Sequence, residues 1–444
     1  MRGLLPVSIV TAAVLATAAL VSVAAPPLAW GEPVVRRQIL SNGMTVLVQE
    51  ESGRGVVAAA LHVRFPQGSQ TPDSAGLTNF LHRAMLRGTE RRSFTALAEA
   101  AEEIGGTLDA SAEADYAEIR GAALASRWAT LLDLIAEVAL QPTLAPEEIE
   151  RERRLILSQI QTRADTPPTF ALDTLLRHLY GSHPYAWPSS GLKESIERIE
   201  VGALRAHYRE IYRPERLILA VVGGVPAARV VRAVERLFSP LGAARTEAVA
   251  RAEMTPLPPP TGSRRVIEKP AQQAQVLIGY VGPRIADPDY AAVKVLSAVV
   301  GGGMSGRLFF ELRDKRGLAY SIGVTNPSRS GPAPLFAHMG TGPGTVDAAE
   351  QGLLRELERI RVEPPSETEL ARAKGYILGN LALDRRTVAR RAWYLAFFEG
   401  AGVAWDFPDR YARDVAAVTV ADVQRAAERY FRSPTVVVLQ PARR

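Results

Sequence analysis

An arginine and a tyrosine seven residues apart, Arg313 and Tyr320, stand inside the glycine-rich stretch GGGMSGRLFFELRDKRGLAYSIG, residues 301–323. The glycines predict a turn, then a short helix over about 305–315, a left-handed C-cap at Gly317 and a strand from Leu318. One tight turn between helix and strand could aim guanidinium and phenol at the same spot. A cation and a phenol held on rigid elements can stabilise an oxyanion. The same residues also fit a plainer role. Arginine in a last helical turn complements the helix dipole, and tyrosine in a strand usually fills a core. On the residues alone both readings stand.

The elements around this stretch fall into two similar series. The first opens with a predicted hairpin, 34–40 and 44–49, around Asn42-Gly43, a pair suited to a type I′ turn. A strand over 56–65 follows, then helices over 74–86 and 93–104, and strand-like pieces at Asp109 and over 116–121. An amphipathic helix over 126–140 is followed by another with Pro146 at its first position, and later by a buried-looking strand, 217–222. Strands at 264–268 and 274–281 and a helix over 287–299 begin the second series. Long helices near 346–361 and 367–383 come later. The segment from Glu148 to Ile160 lines up with that from Glu369 to Leu381, offset by 221. Tyr212-Arg213-Pro214 ahead of a hydrophobic strand lines up with Phe431-Arg432-Ser433, offset by 219. Two nearly equal offsets indicate a duplicated domain of about 200 residues.

The predicted fold class is therefore α+β: two tandem homologous domains, each with a mixed, mostly antiparallel sheet packed against helices. We place the first domain at 32–250, a proline-rich linker at 251–263 and the second domain at 264–444. A chain of 444 residues suits this division, and 47% hydrophobic with 23% charged residues suits a globular protein. The 53 basic and 47 acidic residues are spread without a basic block or patch, which argues against nucleic acid. The absence of cysteine removes disulfides, thiolate metal sites and a cysteine nucleophile. Arg2 and the apolar run over 4–25, followed by small residues, read as a cleaved secretory signal over 1–31, with cleavage after Ala24 or Gly31. An uncleaved anchor is the alternative, since the run is long enough to span a bilayer. Either puts the rest of the chain outside the cytoplasm, in the periplasm or secreted, with no membrane contact once the signal is removed.

From about residue 34 onward the chain resembles the insulinase/pitrilysin family of zinc peptidases, especially its processing-peptidase-like branch. The resemblance rests on NGMTVLV, on the segment 76–89, on the helix 148–160, on HPYAWPSSG at 183–191 and on the 301–323 stretch. Active members of that family carry H-x-x-E-H on a helix, two histidines on one face holding zinc and a glutamate activating water, with a distal glutamate completing the ligands. Here the matching positions are Asn79 for the first histidine, His82 for the glutamate, Arg83 for the second histidine and Gln159 for the distal ligand. All four have changed. A permanent cation at Arg83 would repel a metal ion, amides ligate zinc weakly, and His82 points about 100° from the Asn79/Arg83 face. The remaining histidines show no ligand-pair spacing, so no metal is expected on this chain.

The resemblance implies the opposite for Arg313 and Tyr320. They keep the spacing at which family members hold and polarise the scissile carbonyl. It therefore implies the zinc-less subunit of a heterodimeric periplasmic metallopeptidase. A homologous partner with an intact H-x-x-E-H would carry the zinc, with a peptide substrate between the chains. Gly301, Gly302 and Gly303 are candidates for lining that chamber, or for allowing a tight turn. The alternative is an inert scaffold or assembly protein derived from the same family. An autonomous hydrolase lacks support, since neither G-x-S-x-G nor a P-loop is present.

Overall fold

The computed structural model describes residues 34–64, 70–243, 257 and 261–442. The predicted signal segment, and most of the predicted linker, lie outside the described residues. The first sheet contains β1 (Val35–Ile39), β2 (Thr45–Glu50), β3 (Val56–Arg64), β4 (Thr107–Ala112), β5 (Tyr116–Leu124) and β6 (Leu217–Gly223), in the order β1-β2-β6-β3-β5-β4. The second contains β7 (Ser263–Glu268), β8 (Ala274–Val281), β9 (Ser321–Thr325), β10 (Pro334–Thr341) and β11 (Thr435–Gln440), in the order β7-β11-β8-β10-β9. With β1 set aside the two orders are the same. Each sheet has one parallel pair, β2 with β6 and β7 with β11, and is antiparallel elsewhere.

The helices repeat as well. The Pro146–Asp165 and Glu367–Asp384 helices start 221 residues apart, and so do the Pro167–Tyr180 and Val388–Gly400 helices. The α+β class with two homologous halves is thus present in the strand order itself. β6, LILAVVG, is buried along its whole length because it is covered on both faces, so it shows no alternation of apolar and polar residues.

What covers those faces joins the halves. On one face each sheet carries its own helices. The opposite face is covered by a helix from the other half of the sequence. Ala392, Leu395 and Ala396 of the Val388–Gly400 helix pack on Ala58, Ala60, Ile218, Ala220 and Val222 of the first sheet. Ala171 and Leu175 of the Pro167–Tyr180 helix pack on Leu277, Phe336, Val437 and Leu439 of the second. Gly279 on β8 leaves room for this approach, since a Cβ there would lie 2.9 Å from Leu175. Among the described residues no helix is long and apolar enough to cross a membrane.

Two local expectations need correction. The β1–β2 turn is not type I′, because Asn42 keeps a negative φ and only Gly43 is left-handed, at φ 91°. The Gly43 amide donates to the Leu40 carbonyl at 2.9 Å, and the longer loop ends on the glycine. The predicted strand from Leu318 begins only at Ser321. Before it, the Leu318 amide turns back to the Leu312 carbonyl at 2.9 Å, and the Leu318 carbonyl accepts from Thr341 Oγ1 at 2.6 Å.

Candidate functional site

In the first half, Asn79, Arg83 and Gln159 come together. The Leu77–Met85 helix carries Asn79 and Arg83 one turn apart, and the Pro146–Asp165 helix brings Glu152 and Gln159 against them. These four residues, with Arg87, Phe94 and the β4 residues Asp109 to Ser111, line a cavity of about 350 Å³. Arg83 occupies its centre of charge. Its Nε donates to Glu152 Oε1 at 2.5 Å, and its Nη1 donates to Gln159 Oε1. Arg87 Nε donates to the other Glu152 oxygen at 2.5 Å, and its guanidinium lies 4.7 Å over the Phe94 ring. Both oxygens of the buried Glu152 are therefore taken by guanidinium groups. These residues do not fit a divalent cation. The guanidinium fills the position between 79, 83 and 159, Glu152 already neutralises two arginines, and Asp109 is paired with Arg120 at 2.6 Å.

His82 faces the other way. It is fully buried, its Nδ1 donating to the Thr78 carbonyl at 2.8 Å and its Nε2 accepting from the Tyr212 hydroxyl at 2.9 Å. Burial pushes its pKa down to about 4, so it is a neutral core imidazole at pH 7. Among the described residues no group of three histidine, aspartate or glutamate side chains is placed to hold a metal ion.

In the second half the 301–323 stretch is held by its apolar and basic residues. Arg307 is buried and donates through Nε to Glu369 Oε1 at 2.7 Å, and through its other nitrogens to the carbonyls of Glu363 and Pro364, both at 3.2 Å. Leu308 and Leu312 enter the core, Leu312 against Gly352, where a Cβ would lie 2.7 Å away. Residues Phe309–Asp314 wind as a π-helix, with the Lys315 amide reaching back to the Phe310 carbonyl at 3.0 Å. Such a wide turn shifts the side chains that follow it, and π-turns are frequent at functional sites. Gly317 is left-handed at φ 63°, the predicted C-cap, and its amide donates to the Arg313 carbonyl at 3.0 Å.

Arg313 and Tyr320 flank this turn and both point to solvent. Arg313 rests 4.8 Å over the Phe309 ring, and Tyr320 is 65% exposed. Neither side chain makes a hydrogen bond or ion pair among the described residues, although the Tyr320 backbone is pinned by its amide to the Gly340 carbonyl at 2.9 Å. Anchored backbone with unspent polar side chains is what an external ligand requires, and core packing does not account for either residue.

The three glycines behave differently from one another. A Cβ at Gly301 would meet the Val324 amide at 2.5 Å, and one at Gly302 the Ala298 carbonyl at 2.5 Å, so close packing of β9 and helix exit already requires both. Gly303 is left-handed at φ 67° and exposed, and a Cβ there would lie 3.4 Å from the Tyr376 ring.

HPYAWPSSG ties the halves together. The Tyr185 hydroxyl donates to Asp115, in the β4–β5 turn, and accepts from the Gly331 amide of the β9–β10 loop at 3.0 Å. Arg329 stands 3.8 Å from the same aspartate. Reading the sequence singled out neither Glu152 nor Lys294. Glu152 was visible as a glutamate seven residues before Gln159 on one helix face. Lys294 is the sole charge within the apolar run YAAVKVLSAVVG, and that isolation was its signal.

Two mixed sheets of the same strand order, wrapped by exchanged helices, define a duplicated α+β fold. The chain belongs to the insulinase family: residues 45–191 match its insulinase (peptidase family M16) domain and residues 198–376 the domain described as peptidase M16 inactive domain. An uncharacterized zinc protease of Streptomyces coelicolor is 27% identical over 424 residues, covering 93% of this chain and 90% of that protein. Another from Bacillus subtilis is 24% identical over 351 residues, covering 79% and 84%. A protease from Helicobacter pylori has a similar fold, with a TM-score of 0.86 at 21% identity over 92% of this chain and all of that one. So has a peptidase M16 inactive domain from Pseudomonas fluorescens, with a TM-score of 0.84 at 22% identity over 92% and 98%.

Proposed function

We propose that this chain is the zinc-less subunit of a two-chain peptidase. It would offer Arg313 and Tyr320 to a scissile carbonyl while a homologous subunit with an intact H-x-x-E-H motif supplies the metal. The observation that carries this reading is the asymmetry between the two halves. Arg83 fills the metal position and is spent on Glu152 and Gln159, while Arg313 and Tyr320 are positioned, exposed and unspent. In such a complex the guanidinium would neutralise the developing oxyanion and the phenol would donate to it, both without solvent reorganisation. The peptide would bind as an added strand, which gives affinity with little sequence preference. The N-terminal stretch over 1–31, read as an export signal, would put the complex in the periplasm or outside the cell.

The test is reconstitution with a family member that keeps H-x-x-E-H, scored by cleavage of an unstructured peptide. Arg313→Ala should lower kcat by about 10²-fold and Tyr320→Phe by about 10-fold or more, with binding of the partner unchanged. Unchanged cleavage with either variant would leave a scaffold role, in which the two side chains are inherited and idle.

A further inference from the structure

The second half has a cavity of its own, about 790 Å³, between the Tyr290–Gly301 and Glu367–Asp384 helices and closed by Val388–Gly400 and Phe407–Ala417. It shares one repeated wall with the Arg83 cavity. Asn380 on its wall stands 221 residues after Gln159, on the helix that repeats Pro146–Asp165. Its chemistry is different. Tyr290, Tyr394, Phe398, Phe407 and Tyr411 make an aromatic wall. Lys294 reaches in from the apolar helix. Its ammonium has one hydrogen-bond acceptor, the Asn326 carbonyl, and lies 5.0 Å over the Tyr290 ring. No carboxylate pairs with it among the described residues. Burial alone brings its pKa down to about 7.

The other charges facing this space are spoken for or also positive. Asp384 accepts from Arg390 Nε at 2.8 Å and from the Tyr394 hydroxyl at 2.7 Å. Arg386 gives its Nε to the Leu383 carbonyl at 2.7 Å and keeps its terminal nitrogens. The Tyr290 hydroxyl pairs with Ser328 Oγ at 2.6 Å, whereas the Tyr411 hydroxyl makes no hydrogen bond among the described residues. A cation with two spare donors, a second guanidinium at the mouth and an aromatic wall together select an anion with an apolar body. An inorganic phosphate would have no apolar body to set against this wall.

We propose that this cavity binds a monocarboxylate with an apolar or aromatic body, its carboxylate on Lys294 and its body against Tyr394, Phe398 and Phe407. Two sources share that chemistry: the C-terminal residue of a peptide and a free small acid. The rim reaches Tyr376, whose ring would be 3.4 Å from a Cβ at Gly303, so an occupant would border the side chain beside the loop that precedes the Arg313 helix.

The experiment is calorimetric titration of the full chain with N-acetyl-phenylalanine, its amide, a pentapeptide ending in phenylalanine, and the same pentapeptide amidated. Both acids should bind and both amides should bind at least 10-fold more weakly. Lys294→Met should reduce binding of the acids by the same factor while leaving the amides unchanged. Binding of the pentapeptide acid assigns the source as a peptide terminus. Binding of the small acid alone keeps the site and assigns a free acid as its ligand. Equal binding of acid and amide, or no binding of either acid at millimolar concentration, overturns the proposal. The acid-against-amide comparison uses the unaltered protein and so does not depend on how the variant folds.

Discussion

The two cavities share one repeated wall, the long helix that recurs at 221 residues and carries Gln159 in the first and Asn380 in the second, and they hold opposite electrostatic situations. In the first, a cation is saturated: Arg83 and Arg87 share Glu152, and Gln159 takes another donor. In the second, Lys294 stands with one backbone acceptor and no counter-ion. The fold tolerates both because the sheets and helices around them are held by their own apolar cores. The difference teaches where binding capacity has moved. A site whose charges cancel internally has little left for a ligand, and a site whose charge is uncompensated is completed by one.

The largest expected effect comes from undoing the saturation. Asn79→His, Arg83→His and Gln159→Glu together place two imidazoles and a carboxylate around one point, and the triple variant should bind one zinc ion per chain. Metal analysis after dialysis against micromolar zinc checks this, with the unaltered chain as the reference. Failure to bind would mean that the two helix faces do not converge on a common point.

Next in size is Glu152→Ala, which leaves two guanidinium groups facing each other beside a buried wall. It should destabilise the chain by about 3–5 kcal/mol in urea unfolding. Glu152→Gln should cost less, because one carbonyl oxygen can still accept. A change below 1 kcal/mol for the alanine variant would show that the cluster is solvated.

His82 and Lys294 sharpen the same contrast through pH. His82 has a folded pKa of about 4, below its unfolded value, so the unfolded chain takes up more protons between about pH 6.5 and 4. Its contribution to stability is complete above pH 6.5 and is lost as pH falls through that window, amounting to about 3 kcal/mol. His183, which is buried, and the half-buried His207 and His338 shift in the same direction for the same reason. His82→Leu should therefore flatten the acid limb of the stability profile without abolishing it.

Lys294 titrates on the other side. Its folded value of about 7 lies below the unfolded one, so the burden of holding a cation there is full below pH 7 and fades as pH rises toward 10.5. Lys294→Met should stabilise the chain by about 1–2 kcal/mol at pH 6, and by nothing at pH 10.5, as read by urea unfolding at both. A stabilising substitution at a cavity wall is what a residue kept for binding, and not for folding, should give.

Much of this was legible in the residues and some was not. Equal spacing of Glu148–Ile160 and Glu369–Leu381 disclosed the duplication, because helix faces packed on equivalent sheets must repeat their apolar positions. Helical periodicity puts Asn79 and Arg83 on one face, and the family resemblance, not any local pattern, joined Gln159 to them. The sign of the change was visible too, since arginine cannot lose its charge. The spacing puts Glu152 on the Gln159 face, but one-dimensional reading does not show two guanidinium groups converging on it, nor the anchoring of the 301–323 stretch by Arg307. The type I′ turn failed because Asn-Gly fits several loops, and the loop length chooses among them. No local pattern reveals that two helices are exchanged, since each reads as an ordinary amphipathic segment wherever it docks.

That exchange has a consequence for synthesis. The first sheet is laid down by residue 223, yet the surface made by Ala58, Ala60, Ile218, Ala220 and Val222 stays bare until residues 388–400 leave the ribosome. For the interval in which some 165 residues are translated, roughly 8–33 s at ordinary elongation rates, a nascent chain displays a sticky β face. A cut between the halves would give two fragments that are each insoluble alone and soluble when co-expressed, every one carrying the lid its neighbour lacks.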